Sequence, residues 1–446
     1  MKKIKFHLFL TIILLISGLL LCEALSRIYL KYSTGSYRIS QKFKEKFSEE
    51  SKVKEQLLKK QPIALNLSHG YTHTPDYSIT EFIPSHVFRQ YLQIDPEDPM
   101  PQISWFDMKA NNYGFMSYYD YPYEKKENEF VVGIWGGSVA YWMAIMGNDP
   151  LKKYLKKYFK QKEIVILNFA QGGMKQPQSL SVLSYFHSIG QKIDAAIFLD
   201  GFNEVYYAQV HNYSNWAISA PSIDWVAGVY QLANRQWSPE YLLLFYNSIK
   251  SKNQQHYFES RETSFASVSL IQKAIAVYYK NKYIRNYAKL LEYKGQIDDL
   301  IFLPPRLTHE EESPYETVAE IWKNATIAAK SIVSSEKDSI FVHAIQPSRY
   351  FPSEFADETP QNKYFATTPK DGYPHLIQAS EDLRKNYKIA SLDLTGLFNK
   401  KEDRVGIFAD ACCHFTIKGN DMIAKVIASE IIKIFKSKSL SNPIKK

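Results

Sequence analysis

Five residues in four short segments match the needs of acyl-transfer chemistry, and the first is Ser138. It follows Gly136-Gly137 at the end of an apolar run, and two glycines allow the backbone to turn sharply so that a serine hydroxyl is exposed. At the first position of a helix, its backbone N–H has no partner within that helix and can donate to a substrate oxygen. The segment predicts a nucleophilic serine, although structural turns share the pattern.

The other segments supply hydrogen-bond donors and a base. Gly173 closes the loop 168–173, where it can present a backbone N–H, and Asn203 offers a side-chain amide in the loop 200–204. Asp410 and His414 share one loop near the C-terminus, so the carboxylate can hold the imidazole in one tautomer and stabilise its protonated form. Asp393 is the alternative orienting carboxylate. Each segment alone also fits a turn, a helix cap or a surface loop.

A parallel sheet would bring these segments together. Short apolar runs, each followed by a helical pattern, predict five strands, and the first three runs end in or directly before Gly, Asn or Asp. The predicted strands are Phe130–Trp135, Glu163–Asn168, Ala195–Asp200, Ser339–Ile345 and Ile389–Leu394. Such alternation indicates an α/β fold, a three-layer α/β/α arrangement with a central parallel five-stranded sheet. Ligands in such sheets bind where the strands end, so the loops named above are expected to form one site.

The four segments, in this order, resemble the SGNH (GDSL-like) hydrolase superfamily. In that family the nucleophilic serine follows the first strand, a glycine the second and an asparagine the third, and an Asp-x-x-His motif precedes the last helix. The resemblance implies that Ser138 is the nucleophile, that His414 is the base oriented by Asp410, and that the Ser138 N–H, Gly173 and Asn203 form the oxyanion hole. It covers about 130 to 205 and 338 to 436.

Two positions depart from the family pattern. The first segment is Gly-Gly-Ser where many members have Gly-Asp-Ser, and Asp410 precedes His414 by four residues rather than three. The longer spacing makes Asp410 the less secure member of the predicted triad. A bulge in the loop would restore its contact with the histidine.

The resemblance implies acyl transfer through a covalent serine ester. The expected activity is a serine esterase acting on an O-acyl group of envelope polysaccharide or on a lipid ester. An O-acyltransferase acting on cell-envelope glycan would use the same triad, and a non-catalytic SGNH-like envelope assembly or binding module is the third reading. The expected partner is an acylated carbohydrate or a lipid.

Composition excludes several classes of protein and of binding partner. The chain has 446 residues, of which 45% are hydrophobic and 23% charged, which is ordinary globular usage and excludes a disordered or collagenous protein. The formal net charge of +9 is spread over a long chain, so no nucleic-acid partner is expected. Three cysteines exclude a disulfide scaffold, and no metal or other cofactor is expected. Lys175 and Gln176 are expected to be solvated, and His343 to be a hydrogen-bonded core histidine.

The N-terminal segment predicts where in the cell the protein lies. Lysines at 2, 3 and 5 precede an uncharged apolar run, Leu8–Cys22, and we interpret residues 1–31 as a cytoplasmic tip and an uncleaved single-pass signal anchor. A cleaved signal peptide is the competing reading. The anchor places the following residues on the periplasmic or extracytoplasmic side of a membrane. A stalk and wrapping segment is expected over 32–129 and the hydrolase-like domain over 130–440. Within that domain, about 205–310 is expected as a helical insertion, either a lid over the site or peripheral helices.

Overall fold

The computed structural model describes residues 2–34, 63–66, 70–73, 75–82, 85–94, 104–222, 239–261, 263–292, 313–336, 338–352, 363–399, 404 and 406–441. The chain divides into two compact units. One consists of residues 1–60 with 233–300, and the other of residues 61–232 with 301–446. All the residues of the predicted site belong to the second, larger unit.

The larger unit is built on a five-stranded parallel sheet. A separate antiparallel hairpin precedes it, made of β1 (Ile63–Asn66) and β2 (Gly70–His73). The sheet strands are β3 (Glu129–Gly136), β4 (Glu163–Asn168), β5 (Ala195–Asp200), β6 (Ile340–Ile345) and β7 (Ser391–Asp393), in the order β4-β3-β5-β6-β7. All neighbouring pairs are parallel. The sequence therefore predicted every strand of this sheet, and two of them residue for residue.

Helices lie on both faces of the sheet. The described α-helices are α1 (Lys2–Thr34), α2 (Ile79–Phe82), α3 (Ser85–Leu92), α4 (Ser138–Met146), α5 (Asn148–Lys156), α6 (Gln178–Ser188), α7 (Phe202–Tyr213), α8 (Pro239–Ser260), α9 (Ala266–Glu292), α10 (Pro314–Ser334), α11 (Lys363–Asn386) and α12 (Ile417–Ser441). Because side chains alternate along a strand, Val132 and Ile134 of β3 pack with α4, α5 and α12, whereas Val131 and Trp135 pack with α6, α10 and α11. The sheet is thus buried on both faces, as its near-continuous apolar strands predict.

The chain before β3 packs onto the first of these faces. Phe88 of α3, Trp105 and Met108 belong to the same apolar cluster as α4 and α12. The regular elements described in this part of the chain are short, and the predicted wrapping segment stays a prediction. Residues 35–62 of the predicted stalk lie outside the described residues.

The smaller unit contains α1, α8 and α9. The Glu23 carboxylate accepts hydrogen bonds from the N–H groups of Ala266 and Ser267 at 2.8 Å each, so α1 supplies the cap of α9. The predicted 205–310 insertion therefore does not form one element, since α7 belongs to the larger unit and α8 and α9 belong to the smaller one. Among the described residues, none of the helices combines the length and apolarity needed to cross a bilayer. The membrane anchor stays a prediction.

Candidate active site

The strand order brings three of the predicted segments to one point. From β3 the chain continues to β4 on one side, and from β4 it crosses to β5 on the other side of β3. The loops that follow β3 and β5 therefore diverge from neighbouring strands, which opens a crevice at their carboxyl ends. Ser138, Gly173 and Asn203 follow β3, β4 and β5 respectively.

Ser138 meets His414 across this crevice. Ser138 is the first residue of α4, directly after Gly137, and its hydroxyl is partly exposed. Its Oγ lies 2.8 Å from His414 Nε2, although the two residues are 276 positions apart in the chain. A serine hydroxyl that donates to an imidazole nitrogen is the pairing that general-base activation requires.

Asp410 completes the contact chain despite its unusual spacing. Its Oδ2 hydrogen-bonds to His414 Nδ1, while its Oδ1 accepts the N–H groups of Cys412 at 2.9 Å, Cys413 at 3.0 Å and His414 at 3.2 Å. The loop folds around the carboxylate, and this turn accommodates the extra residue. Burial alone would raise the pKa of Asp410, but the bond from His414 and these N–H groups hold it below its ordinary value.

Asp393 does not take part in this arrangement. Its Oδ1 accepts the N–H of Thr395 at 2.9 Å and the Thr395 hydroxyl at 2.7 Å, so it caps the short 3-10 turn Thr395–Phe398 that follows β7. Of the two carboxylates that the sequence offered, the structure places Asp410 against His414.

Gly173 and Asn203 flank the serine loop. Gly173 has a φ of 76°, a left-handed conformation that favours glycine, and is buried. Asn203 donates from Nδ2 to the Met174 carbonyl at 2.8 Å, and its amide has a second N–H. A Cβ on Gly137 would lie only 2.1 Å from Asn203 Nδ2 and 2.7 Å from the Met174 carbonyl oxygen. Both loops are therefore packed directly against the residue that precedes Ser138.

Several residues near the triad were not predicted. The Tyr91 ring, on α3, lies 6.0 Å from the His414 ring and 4.4 Å from Trp142. Burial, reinforced by the Asp410 charge, raises the pKa of Tyr91 well above its ordinary value, so the phenol stays protonated. The Arg349 guanidinium donates to the Asp410 backbone carbonyl at 3.1 Å. The chain contains 32 tyrosines, but this count does not indicate which of them contacts the triad.

A metal centre finds no support in the same region. In the part of the chain that the structure describes, no group of three or more His, Cys, Asp or Glu side chains could hold a metal ion. What the site offers is a hydroxyl, an imidazole, a carboxylate and neighbouring amide groups, which suits nucleophilic attack on an acyl group.

Comparisons with known proteins add little to this geometry. No protein-family model matches the chain. No curated protein matches it either. Among solved structures, a lipase/acylhydrolase from Enterococcus faecalis aligns at 10% identity over 68% of this chain and 95% of its own, with a TM-score of 0.30. The lipase Lip_vut3 from a goat rumen metagenome aligns at 13% identity over 69% and 97%, with a TM-score of 0.28. Both similarities are too weak to support an inference about activity.

Proposed function

We propose that this chain is a serine ester hydrolase of the SGNH type, with Ser138 as nucleophile, His414 as base and Asp410 as orienting carboxylate. The observation that carries the proposal is the 2.8 Å contact between Ser138 Oγ and His414 Nε2. A binding module that needed only the shape of the fold would not require this pair, nor the carboxylate behind it. The intact arrangement favours the enzyme over the non-catalytic alternative.

The reaction follows from the proton positions. His414 Nδ1–H donates to Asp410, which leaves Nε2 free to accept the Ser138 proton. As Oγ bonds to the ester carbonyl carbon, that proton moves to Nε2 and the carbonyl oxygen becomes an oxyanion. The Ser138 N–H, the Gly173 N–H and the Asn203 amide donate to the oxyanion, and one such donor contributes about 3–4 kcal/mol.

Two leaving steps complete the cycle. The tetrahedral intermediate collapses, and the alcohol departs with the proton from His414 Nε2, leaving an acyl ester on Ser138. A water molecule then attacks the carbonyl carbon of this ester while His414 Nε2 accepts one of its protons. As the bond between that carbon and Ser138 Oγ breaks, Nε2 returns the proton to Oγ, and the carboxylic acid is released. If a sugar hydroxyl replaces the water, the same residues perform acyl transfer.

The test is ester turnover by the full-length chain. We expect the purified protein to cleave p-nitrophenyl acetate and to be labelled at Ser138 by a fluorophosphonate. Ser138→Ala should abolish both. The matched control is Ser429→Ala, because Ser429 is an exposed serine whose hydroxyl only donates to the Lys425 carbonyl. Undiminished turnover in the Ser138→Ala protein would disprove the proposal.

The substrate class is a further part of the proposal. Acetyl esters should be preferred if the natural substrate is an O-acetylated glycan, and long-chain nitrophenyl esters if it is a lipid. Adding a sugar acceptor and measuring acylated sugar against free acid separates transfer from hydrolysis.

We also propose that α1 attaches the protein to a membrane. Its apolar side chains are widely exposed, including Leu14 at 65%, Leu19 at 70% and Leu20 at 66%, and lysines precede them in the sequence. We expect the full chain to stay with the membrane fraction after carbonate extraction and a chain lacking residues 1–31 to leave it. Release of the full chain by carbonate would refute an integral attachment through α1.

A further inference from the structure

A buried polar cluster lies beneath the two loops that carry Gly173 and Asn203. It consists of Gln176, Asp200, Glu204 and His343, whose exposed fractions are 0%, 3%, 1% and 0%. This contradicts the expectation that Gln176 is solvated, and Lys175 is buried as well, whereas His343 is the hydrogen-bonded core histidine that the sequence predicted. Burying two carboxyl groups costs free energy unless each is hydrogen-bonded, so their partners show what the cluster does.

Glu204 bridges the two loops with one carboxylate. Its Oε2 accepts the N–H of Gly201, in the loop after β5, at 2.7 Å, and its Oε1 accepts the N–H of Gln176, in the loop after β4, at 3.0 Å. The Asn203 amide crosses between the same loops to the Met174 carbonyl at 2.8 Å. Glu204 therefore determines the separation of the backbone segments that present Gly173 and Asn203.

Asp200 connects this bridge to the sheet and to α10. Its Oδ2 lies 2.9 Å from both Gln176 Nε2 and His343 Nε2. The Thr326 hydroxyl donates its single proton to the Trp322 carbonyl at 2.6 Å, so its 2.7 Å contact with His343 Nδ1 requires a proton on Nδ1. Burial lowers the pKa of His343 to about 3, so the ring is neutral and its Nε2 accepts.

The two carboxyl groups consequently differ in charge. Because His343 Nε2 accepts, Asp200 must donate to it, and burial does raise the pKa of Asp200 to about 7. Glu204 accepts two N–H groups and has no acceptor for a proton of its own among these contacts, so it carries the negative charge. Burial and the neighbouring Asp200 also raise the pKa of Glu204, so two charges together are disfavoured.

We propose that Glu204 is a positioning residue of the oxyanion hole and acts through the loops that hold Gly173 and Asn203. The protonated carboxyl group of Asp200 and the neutral ring of His343 support these loops through their hydrogen bonds. This inference rests on the proposed esterase function. It predicts that the charge of Glu204 matters for turnover, whereas Asp200, which is already neutral, tolerates a neutral replacement.

Two isosteric exchanges in the full-length protein test the contrast. In Glu204→Gln the amide oxygen can accept only one of the two backbone N–H groups. The NH₂ group faces the other N–H, so one of the two loops loses its hydrogen bond to residue 204. We expect kcat for p-nitrophenyl acetate to fall about 10- to 100-fold with KM within about two-fold, because a misplaced donor acts in the transition state. Fluorophosphonate should label the same fraction of molecules, only more slowly, and the acidic limb of the pH profile should not move, because the Ser138–His414–Asp410 contacts are untouched.

Asp200→Asn is the matched control. The asparagine NH₂ can donate to His343 Nε2. Gln176 Oε1 has no hydrogen-bond partner among the described residues, so the Gln176 amide can rotate to accept from the same NH₂. We expect activity within about three-fold of the unmodified protein. If Glu204→Gln does not fold, Glu204→Asp takes its place, since the shorter side chain keeps the charge but reaches only one of the two N–H groups.

A double variant separates positioning from general destabilisation. If Glu204 acts through the oxyanion donors, then Glu204→Gln should cost less in an Asn203→Ala background than on its own. Full activity of Glu204→Gln, an equal loss in Asp200→Asn, or independent losses in the double variant would each overturn the inference while leaving the esterase assignment intact. Absence of ester turnover in the unmodified protein would remove both.

Discussion

Gly137→Ala is the sharpest perturbation of the site, because the added atom meets the candidate oxyanion donor. The new Cβ would lie 2.1 Å from Asn203 Nδ2 and 2.7 Å from the Met174 carbonyl oxygen, whereas ordinary contacts begin at 3.4 Å. The Asn203 amide must therefore move by about 1.3 Å, and its hydrogen bond to Met174 must lengthen or break. The exchange does not alter the side chains of Ser138, His414 and Asp410, which need not move.

The size of the expected loss follows from this displacement. A misplacement of about 1 Å can cost about 100-fold in rate. Complete loss of one oxyanion donor costs about 100- to 1,000-fold, or about 3–4 kcal/mol of transition-state stabilisation. We therefore expect kcat/KM for p-nitrophenyl acetate to fall by about two orders of magnitude, mostly through kcat.

Gly172→Ala is the matched control for this prediction. Gly172 also lies in a loop of the site, in the segment that carries Gly173, but a Cβ there would meet nothing within 4 Å. Steady-state kinetics should show a large loss only in Gly137→Ala. Thermal unfolding should show a lower Tm for Gly137→Ala than for Gly172→Ala, with both variants folded at the assay temperature. Equal activity of the two variants would show that Asn203 is not a donor in the reaction.

Three other outcomes follow from the structure. Asp410→Asn should lower kcat by as much as about 10⁴-fold, because the amide favours the wrong tautomer of His414. Asp393→Asn should leave esterase activity unchanged, and similar kinetics in the two variants would contradict the assignment of Asp410. Because the pKa of Asp410 is depressed in the folded state, its ionised form stabilises the fold above its unfolded pKa, and this stability is lost as pH falls through the folded value. The Tm difference between the unmodified protein and Asp410→Asn should thus be largest near neutral pH and disappear in strong acid; a difference that grew on acidification would reverse this sign. In the smaller unit, Glu23→Gln should speed amide hydrogen exchange at Ala266 and Ser267, since it weakens the cap of α9, and unchanged exchange there would show that the cap contributes nothing.

Local patterns were sufficient to predict the sheet. Strands buried on both faces are nearly continuously apolar, and β4 and β5 end at Asn168 and Asp200, which are residues suited to a turn, so these two strands could be delimited from the sequence alone. The last strand was predicted too long, at Ile389–Leu394 instead of Ser391–Asp393. Only its middle pairs with β6, and pairing depends on the neighbouring strand rather than on the segment itself.

The candidate site was predicted by residue type, but not in its supporting contacts. The sequence predicted Asp410 as the orienting carboxylate and kept Asp393 as the alternative, because the spacing of Asp410 and His414 departs from the family pattern and loop geometry decides which carboxylate reaches the ring. The prediction that Lys175 is solvated was wrong. A lysine in a loop is ordinarily solvated, yet the ammonium group of Lys175 is buried and donates to the Ile218 carbonyl at 2.7 Å.

The amino-acid sequence by itself determined the α/β class, the strands and the residue types of the candidate site, because these depend on periodicity and turn chemistry within a few residues. Only the tertiary structure decided the strand order, the choice of Asp410 and the buried Glu204 bridge. These depend on contacts between segments far apart in the chain, such as Ser138 and His414, and no local pattern encodes which distant loops will pack together.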